Sequence, residues 1–324
     1  MRAVRVMAFG GPEVLQAGDM PEPVPGPGEA LVQVSIAPVL FLDTQIRAGL
    51  AQAWFPTAPP YVPGAGIAGE VTAVGAGADP GWLGRRVVAD TSGRGGYLEQ
   101  AVVPADGLVA VPDGLGLAEA AALLHDGRTA IGLIEAASPR AGEWVLVVGA
   151  AGGLGALLVQ MAHDAGSRVI GAARGKQKLD LVRELGAGET VDYAQPSWAA
   201  QVRAMTGGSG PDLLFDGIGG EIGRAAFEVT APGGRFFAYG TPGGGFAPVT
   251  PDEAGRRGIA LSGIERVQFG PAEGRRLTEQ ALAEAAAGRI RPVIGQTFPL
   301  EKAAVAHEAI EDRVVTGKTL LEVR

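Results

Sequence analysis

The chain has no cysteine and only three histidines in 324 residues. The first absence excludes disulfides, cysteine nucleophiles and every zinc site built with thiolates. The histidines, His125, His163 and His307, lie far apart in sequence and share no metal-ligand spacing, so no metal is expected. His163 and His307 read most simply as helix-surface residues. Charge is scarce too: Asp, Glu, Lys and Arg make up 19% of the residues, and the net charge is −8. The basic residues are scattered, which leaves no stripe for nucleic acid and no polybasic patch for a membrane surface. No run approaches an uncharged membrane span. The first residues, Met1–Met7, alternate like a strand and lack the apolar stretch of a signal peptide. A soluble cytoplasmic protein with no nucleic-acid or membrane partner is expected.

Apolar residues are plentiful, 47% of the chain, and 52 glycines and 23 prolines punctuate them without forming a repeat. The first part is β-rich. Met1–Met7, Ala30–Ala37, Ile67–Val74, Arg86–Ala89 and Leu108–Val111 read as short strands between turn signals, which suggests a barrel-like or sandwich-like domain. Near residue 117 the pattern changes. Leu117–Leu124 and Thr129–Ala137 read as helices. Strands at Val145–Val148, Val169–Ala172, Thr190–Val191, Leu213–Phe215, Phe236–Tyr239 and Ile259–Ser262 then alternate with helices, as a parallel sheet requires. A last helix spans Ala272–Ala287, and the tail is expected to rejoin the first domain. These shifts predict one domain from residues 1–121 and 295–324 and a second from 122–294.

The most informative stretch is Trp144-Val-Leu-Val-Val-Gly-Ala-Ala-Gly-Gly-Leu-Gly155: a buried strand, a glycine-rich turn, then an apolar helix. That is the opening of a dinucleotide-binding βαβ unit. Glycine permits the tight turn, the approach of backbone N–H groups to a diphosphate and close packing of helix on strand. The helix N-terminus then faces the phosphates with its partial positive charge. Gly149, Ala151, Gly152, Gly153, Leu154 and Gly155 are the candidate phosphate-binding residues, with Ala150 in the first position of the usual G-x-G-x-x-G. NAD sites place an acid at the end of the second strand, about 20 residues on. Here that place reads Ala172-Ala-Arg174-Gly-Lys-Gln-Lys178. Arg174 and Lys178 would attract a 2′-phosphate that a carboxylate would repel, so NADP is the expected cofactor. The same two residues are otherwise plain solvated charges.

These residues, together with Phe9-Gly-Gly-Pro-Glu-Val-Leu15, Pro25-Gly-Pro-Gly-Glu29, Gly95-Gly-Tyr-Leu-Glu99, Asp216-Gly-Ile-Gly-Gly220, Gly233-Gly-Arg-Phe236 and Gly317-Lys-Thr-Leu-Leu321, resemble the medium-chain dehydrogenase/reductase superfamily. The branch is the zinc-independent, zeta-crystallin-like quinone oxidoreductases. The resemblance spans nearly the whole chain. It implies an α/β fold, a Rossmann doubly wound parallel sheet with a GroES-like β-rich catalytic domain around it. It also implies NADPH as cofactor and a homodimer as the common assembly. Zinc-dependent relatives carry Gly-His-Glu where this chain reads Gly64-Ala65-Gly66, so alcohol oxidation by a zinc Lewis acid is not expected.

The family's Val-Asn-x-x-Asp appears as Val39-Leu40-Phe-Leu-Asp43, so an amide of the acceptor pocket is replaced by an apolar side chain. Asp43 is expected to order its own helix start. By resemblance, Thr129 contacts the nicotinamide or its ribose, and is otherwise an early helix residue. His125 is either a general acid or a hydrogen-bonded structural histidine. Tyr61 is either a hydroxyl donor to the acceptor or packing. Tyr193 resembles the tyrosine beside the adenosine phosphate, Tyr239-Gly240 the backbone at the carboxamide side, and Gly217 and Ile218 a strand end that admits the cofactor. Tyr97 reads as structural, and Lys318 as solvated or, otherwise, reaching a cofactor phosphate. The expected activity is hydride transfer from NADPH to a small-molecule quinone or enone. The alternatives are an enoyl reductase of a biosynthetic pathway and a nucleotide-binding structural or sensing protein with little turnover.

Overall fold

The computed structural model describes residues 1–92 and 95–323. The chain runs β1 (Arg2–Val6), β2 (Leu15–Asp19), β3 (Glu29–Val39), α1 (Phe41–Arg47), β4 (Gly66–Val74), β5 (Arg86–Asp90), β6 (Gln100–Pro104), β7 (Val109–Ala110) and α2 (Leu117–Ala137). It continues through β8 (Trp144–Val148), α3 (Gly153–Asp164), β9 (Arg168–Ala173), α4 (Lys176–Glu184), β10 (Glu189–Asp192), α5 (Trp198–Met205), β11 (Leu213–Asp216), α6 (Gly220–Val229) and β12 (Arg235–Ala238). Last come α7 (Pro251–Arg256), β13 (Ala260–Ser262), α8 (Pro271–Ala286), β14 (Ile294–Pro299), α9 (Ala303–Glu311) and β15 (Lys318–Glu322). Two compact units result: Met1–Arg128 with Pro271–Arg324, and Thr129–Gly270.

In the first unit β3 is the hub. It pairs antiparallel with β4, β6 and β15. Ala30, Val32 and Val34 point at period two into a core with Ile67, Val71, Val87, Val103 and Leu108. The tail rejoins this unit as expected: Thr319–Glu322 pair with Val39–Ile36.

The second unit is a parallel sheet in the order β10-β9-β8-β11-β12-β13. Counted along this unit, that is the 3-2-1-4-5-6 order of the doubly wound dinucleotide-binding fold. Val145–Val148 and Leu213–Phe215 are fully buried, which is why they read as unbroken apolar runs rather than alternating ones. The order reverses between β8 and β11, and a crevice opens beyond the carboxyl ends of strands at such a point.

Two features differ from the sequence reading. Leu117–Ala137 is one helix, not two. Gly127, inside the span between the two expected helices, serves packing: a Cβ there would lie 2.8 Å from the Ala281 Cβ and 3.0 Å from Leu123 Cδ2. The same contact explains the second difference. α8 groups with the first unit, because Ala281 packs on Gly127 and Arg275 donates to the Leu108 carbonyl. By contacts, the compact units divide at 128/129 and 270/271.

Gly127→Ala gains helix propensity, about 1 kcal/mol, but overpacks the α2–α8 contact at a cost of about 1–3 kcal/mol. The variant is expected to melt at a lower temperature than the wild type. A raised midpoint would show that the two helices separate without cost.

Candidate functional site

The glycine turn sits at the crevice. Gly149 closes β8 with φ +83°, a conformation strained for any residue with a Cβ. Its N–H and that of Ala150 both donate to the Ala172 carbonyl on β9, and Gly152 N–H donates to Gly149 O. Gly152 occupies the N-cap of α3 and brings no side chain to cap it, so the first amides of α3 have no side-chain acceptor. Gly155 lets the helix close on the strand: a Cβ would stand 2.3 Å from Gly149 O. Ala151 is buried, and Gly153 and Leu154 are half-buried in the same turn.

Beyond β11 the backbone is as tight. Gly217 N–H donates to Val148 O, and the Ile218 side chain lies 3.2 Å from where a Gly149 Cβ would be. A Cβ on Gly217 would meet the Tyr239 hydroxyl at 2.8 Å, and one on Gly240 would meet Gly217 O at 2.0 Å. Gly149, Gly217, Ile218, Tyr239 and Gly240 thus converge at the ends of β8, β11 and β12. Asp216 holds this turn by accepting from the Ile218 and Gly219 amides, and burial pushes its carboxyl up.

At the end of β9 Arg174 is exposed and Lys178 half-buried. Burial lowers the Lys178 ammonium, and the neighbouring Arg174 charge adds to that. Lys176 instead pairs with Asp180 on its own helix. Tyr193 follows β10, with its N–H on the Ala173 carbonyl at the end of β9. Asp192 accepts from the Gly175 and Ala194 amides.

In the first unit, Leu40 precedes α1 and its N–H donates to Asp43 Oδ2 at 2.8 Å, so Asp43 does order the helix start. Asp43 does more than that. It is 2% exposed, and the Tyr97 hydroxyl reaches its Oδ2 at 3.3 Å and His307 Nε2 at 3.0 Å. Burial pushes the Asp43 carboxyl up to about 6, opposed by the Leu40 amide, the Lys318 charge and the Tyr97 hydroxyl. His307 was expected on a surface but is fully buried. Burial and the Arg47 charge hold its imidazole down to about 3. The signal was present: Ala303, Ala306 and His307 fall on one face of α9. Lys318, expected in solvent, is also buried and bonds Asp126 Oδ1 at 3.1 Å. Buried Arg47 pairs with Glu311. The Tyr61 hydroxyl is buried without a hydrogen-bond partner among the described residues. Burial and the Asp43 charge push it up to about 12, so it remains a donor.

His125 lies on α2 with its side chain 11% exposed. Its Nε2 is 3.4 Å from Asp90 Oδ2, and Arg128 Nη1 is 3.1 Å from the same oxygen. Burial lowers the imidazole, Asp90 opposes this, and Arg128 and Lys318 add to it. Burial tends to raise the Asp90 carboxyl, yet His125, the Ser92 amide and Arg128 together hold it well below the usual range. Thr129, half-buried, follows one turn later on α2. Asp90 was missed because nothing in the strand Arg86–Asp90 marks its last residue. Among the described residues no group of three or more His, Asp or Glu is placed to hold a metal ion, and no helix is long and apolar enough to cross a membrane.

Two family models match the chain: "Zinc-binding dehydrogenase" over residues 153–284 and "Alcohol dehydrogenase GroES-like domain" over residues 26–113. A quinone oxidoreductase of Sus scrofa is 32% identical over 324 residues, 99% of this chain and 97% of that protein. A 2-haloacrylate reductase of Burkholderia sp is 31% identical over 319 residues, 96% of each. Among solved structures, an NAD-dependent alcohol dehydrogenase superposes with a TM-score of 0.89 at 33% identity, covering 100% of both chains. The Escherichia coli quinone oxidoreductase complexed with NADPH gives 0.92 at 26% identity, again over 100% of both.

The Asp43–Tyr97–His307 group makes a pH prediction. His307 is depressed from 6.5 to about 3, so its contribution is full above 6.5 and is lost as pH falls towards 3. Asp43 is raised from 3.8 to about 6, so its contribution is full below 3.8 and is lost as pH rises through 6. Between about pH 7 and pH 5 the two oppose each other. Asp43→Asn keeps an acceptor for the Leu40 amide but removes the compensating titration. Over that interval it is expected to lose about 1 kcal/mol more stability than the wild type, read from urea midpoints. Equal losses would mean that Asp43 ionises normally.

Proposed function

This chain belongs to the medium-chain dehydrogenase/reductase superfamily, in its quinone oxidoreductase branch, and from that premise we propose that it is an NADPH-dependent reductase that needs no metal. Its acceptor is a small quinone or an α,β-unsaturated carbonyl. The carrying observation is the uncapped, glycine-lined turn at the switch point of the parallel sheet. It fits a dinucleotide on the chain's own terms: a Cβ at Gly155 or Gly217 would collide with its surroundings, one at Gly149 would be strained by its positive φ, and among the described residues no side chain caps α3. When bound, the reduced nicotinamide supplies the hydride.

In this reading the amides of Ala151, Gly153, Leu154 and Gly155 hold the diphosphate, and Gly149 and Gly152, whose N–H groups close the turn on Ala172 O and Gly149 O, shape the site. Arg174 and Lys178 take the 2′-phosphate: two cations close enough to disfavour one another are relieved by an anion between them. Tyr193 lies by the adenosine phosphate. Gly217, Ile218, Tyr239, Gly240 and Thr129 line the nicotinamide side. Leu40, Tyr61 and His125 serve the acceptor, Tyr61 as a hydroxyl donor and His125 as the general acid. The absence of cysteine and the sequence Gly64-Ala65-Gly66 leave a metal route without ligands. Leu40 favours the enone over the quinone, since an apolar side chain offers no amide to a quinone carbonyl. The likeness to a 2-haloacrylate reductase supports the same choice.

The test is NADPH oxidation against a panel of a benzoquinone, a naphthoquinone, 2-chloroacrylate and an alkyl vinyl ketone. Turnover with at least one is expected, with the activated alkenes ahead. Dinucleotide binding with no oxidation by any acceptor would favour the non-enzymatic alternative.

The double variant Arg174→Ala, Lys178→Ala is expected to bind NADPH about 10–100-fold more weakly by calorimetry, with NADH affinity changed less than about two-fold. Equal loss for both dinucleotides would remove the 2′-phosphate assignment.

A further inference from the structure

His125 is a buried imidazole without a satisfied nitrogen. Neither Nδ1 nor Nε2 has a hydrogen-bond partner among the described residues, and both atoms are shielded from solvent. The 3.4 Å approach of Nε2 to Asp90 Oδ2 is a charge contact, longer than a well-formed hydrogen bond. Buried polar side chains in native structures are nearly always hydrogen-bonded, so this ring calls for a partner. The ring is also given room. A Cβ on Gly66 would lie 2.8 Å from His125 Cε1 and 2.4 Å from Leu124 Cδ2, so any side chain at 66 would displace it.

Asp90 is placed to act on that ring. It ends β5, its Oδ1 is held by the Ser92 N–H at 2.7 Å, and its Oδ2 lies between His125 Nε2 and Arg128 Nη1. It also lines a groove of about 520 Å³ together with Met1, Met20, Glu22 and Gln100, so part of the carboxylate stays hydrated and ionised. A fixed carboxylate at Nε2 selects the Nε2–H tautomer and stabilises the imidazolium. Nδ1 is then the nitrogen left for another partner.

We propose that Asp90 and His125 form a proton-donating pair, in which Asp90 is a positioning residue that orients and charges the ring and His125 is the catalytic acid, acting through Nδ1. The inference rests on the reductase reading above. Reduction of an enone adds hydride, with its electron pair, at the β-carbon and leaves an enolate that needs one proton. The Nδ1–H bond breaks, an O–H bond forms at the enolate oxygen, and the N–H electron pair stays on the imidazole. The neutral ring keeps Nε2–H towards Asp90 and regains its proton from water after the product leaves. The enol tautomerises to the saturated carbonyl. Among the described residues, the charged groups that act on the ring are Asp90 from β5, Arg128 from α2 and Lys318 from β15, the last paired with Asp126. Burial disfavours the imidazolium most, Asp90 favours it, and the two cations add to the disfavour, so the ring is a stronger acid than a free imidazolium and Asp90 is what sustains its charged form.

The experiment is an NMR titration of the three histidines in the full chain without dinucleotide, with His125→Asn assigning the signal. Asp90→Asn is expected to lower the His125 midpoint by about one pH unit and to abolish the Nε2–H tautomer signature. Asp90→Glu restores both. Arg128→Gln moves the midpoint the other way, upwards, and so decides the matter even if Asp90→Asn does not fold. In turnover, Asp90→Asn shifts the falling limb of the pH–kcat profile for an enone to lower pH. At neutral pH kcat drops about tenfold while KM holds, and quinone turnover changes less. An His125 midpoint unmoved by either substitution overturns the pair. Midpoints that move as stated in a wild-type protein that oxidises NADPH with no acceptor would instead overturn the reductase reading.

Discussion

The second unit rests on backbone packed against backbone where no Cβ fits. Gly155 closes on the Gly149 carbonyl, Gly240 on Gly217, and Gly219 on Gly245 O, each with a would-be Cβ within 2.3 Å of a carbonyl oxygen. These contacts set the distance of α3 from β8 and of the loop after β12 from the one after β11. They leave a wall made of amides and carbonyls, with few side chains. A wall of that kind recognises phosphate and amide groups by main-chain hydrogen bonds, and it tolerates little sequence change because each contact is steric.

The first unit solves a different problem. It buries ionisable groups, Asp43, Arg47, His307 and Lys318, beneath α1, α9 and β15. Burial of a charge is costly unless it is paired or neutralised. Arg47 and Lys318 are paired with Glu311 and Asp126. Asp43 and His307 are driven towards their neutral forms and joined through one tyrosine hydroxyl. Such a network fixes the start of α1, and with it Leu40, through polar bonds where plain apolar packing would leave several arrangements of similar energy.

Much of this was legible in the chain. The parallel strands were, because residues buried on both faces give unbroken apolar runs. The glycine turn was, because its chemistry demands those residues in that order. The continuity of α2 through residues 125–128 was not legible, because the role of Gly127 as a packing contact shows only in the facing Ala281. His307 and Lys318 misled for a different reason. A polar residue is most often exposed, and their burial depends on Tyr97 and Asp126, 210 and 192 residues away in sequence. Asp90 acquires meaning only from a helix that begins far downstream of it. Pairings between distant segments carry no local signature.

The seating of β15 against β3 has a consequence for biosynthesis. One flank of the long central strand is covered by residues made some 280 positions after the strand itself. Thr129–Gly270 can complete their sheet during translation, while the earlier-made segment waits with an open hydrogen-bonding edge. Closure of that flank thus waits for residues 318–322, and a nascent chain stalled before residue 318 would expose a sticky ribbon to its neighbours on the polysome.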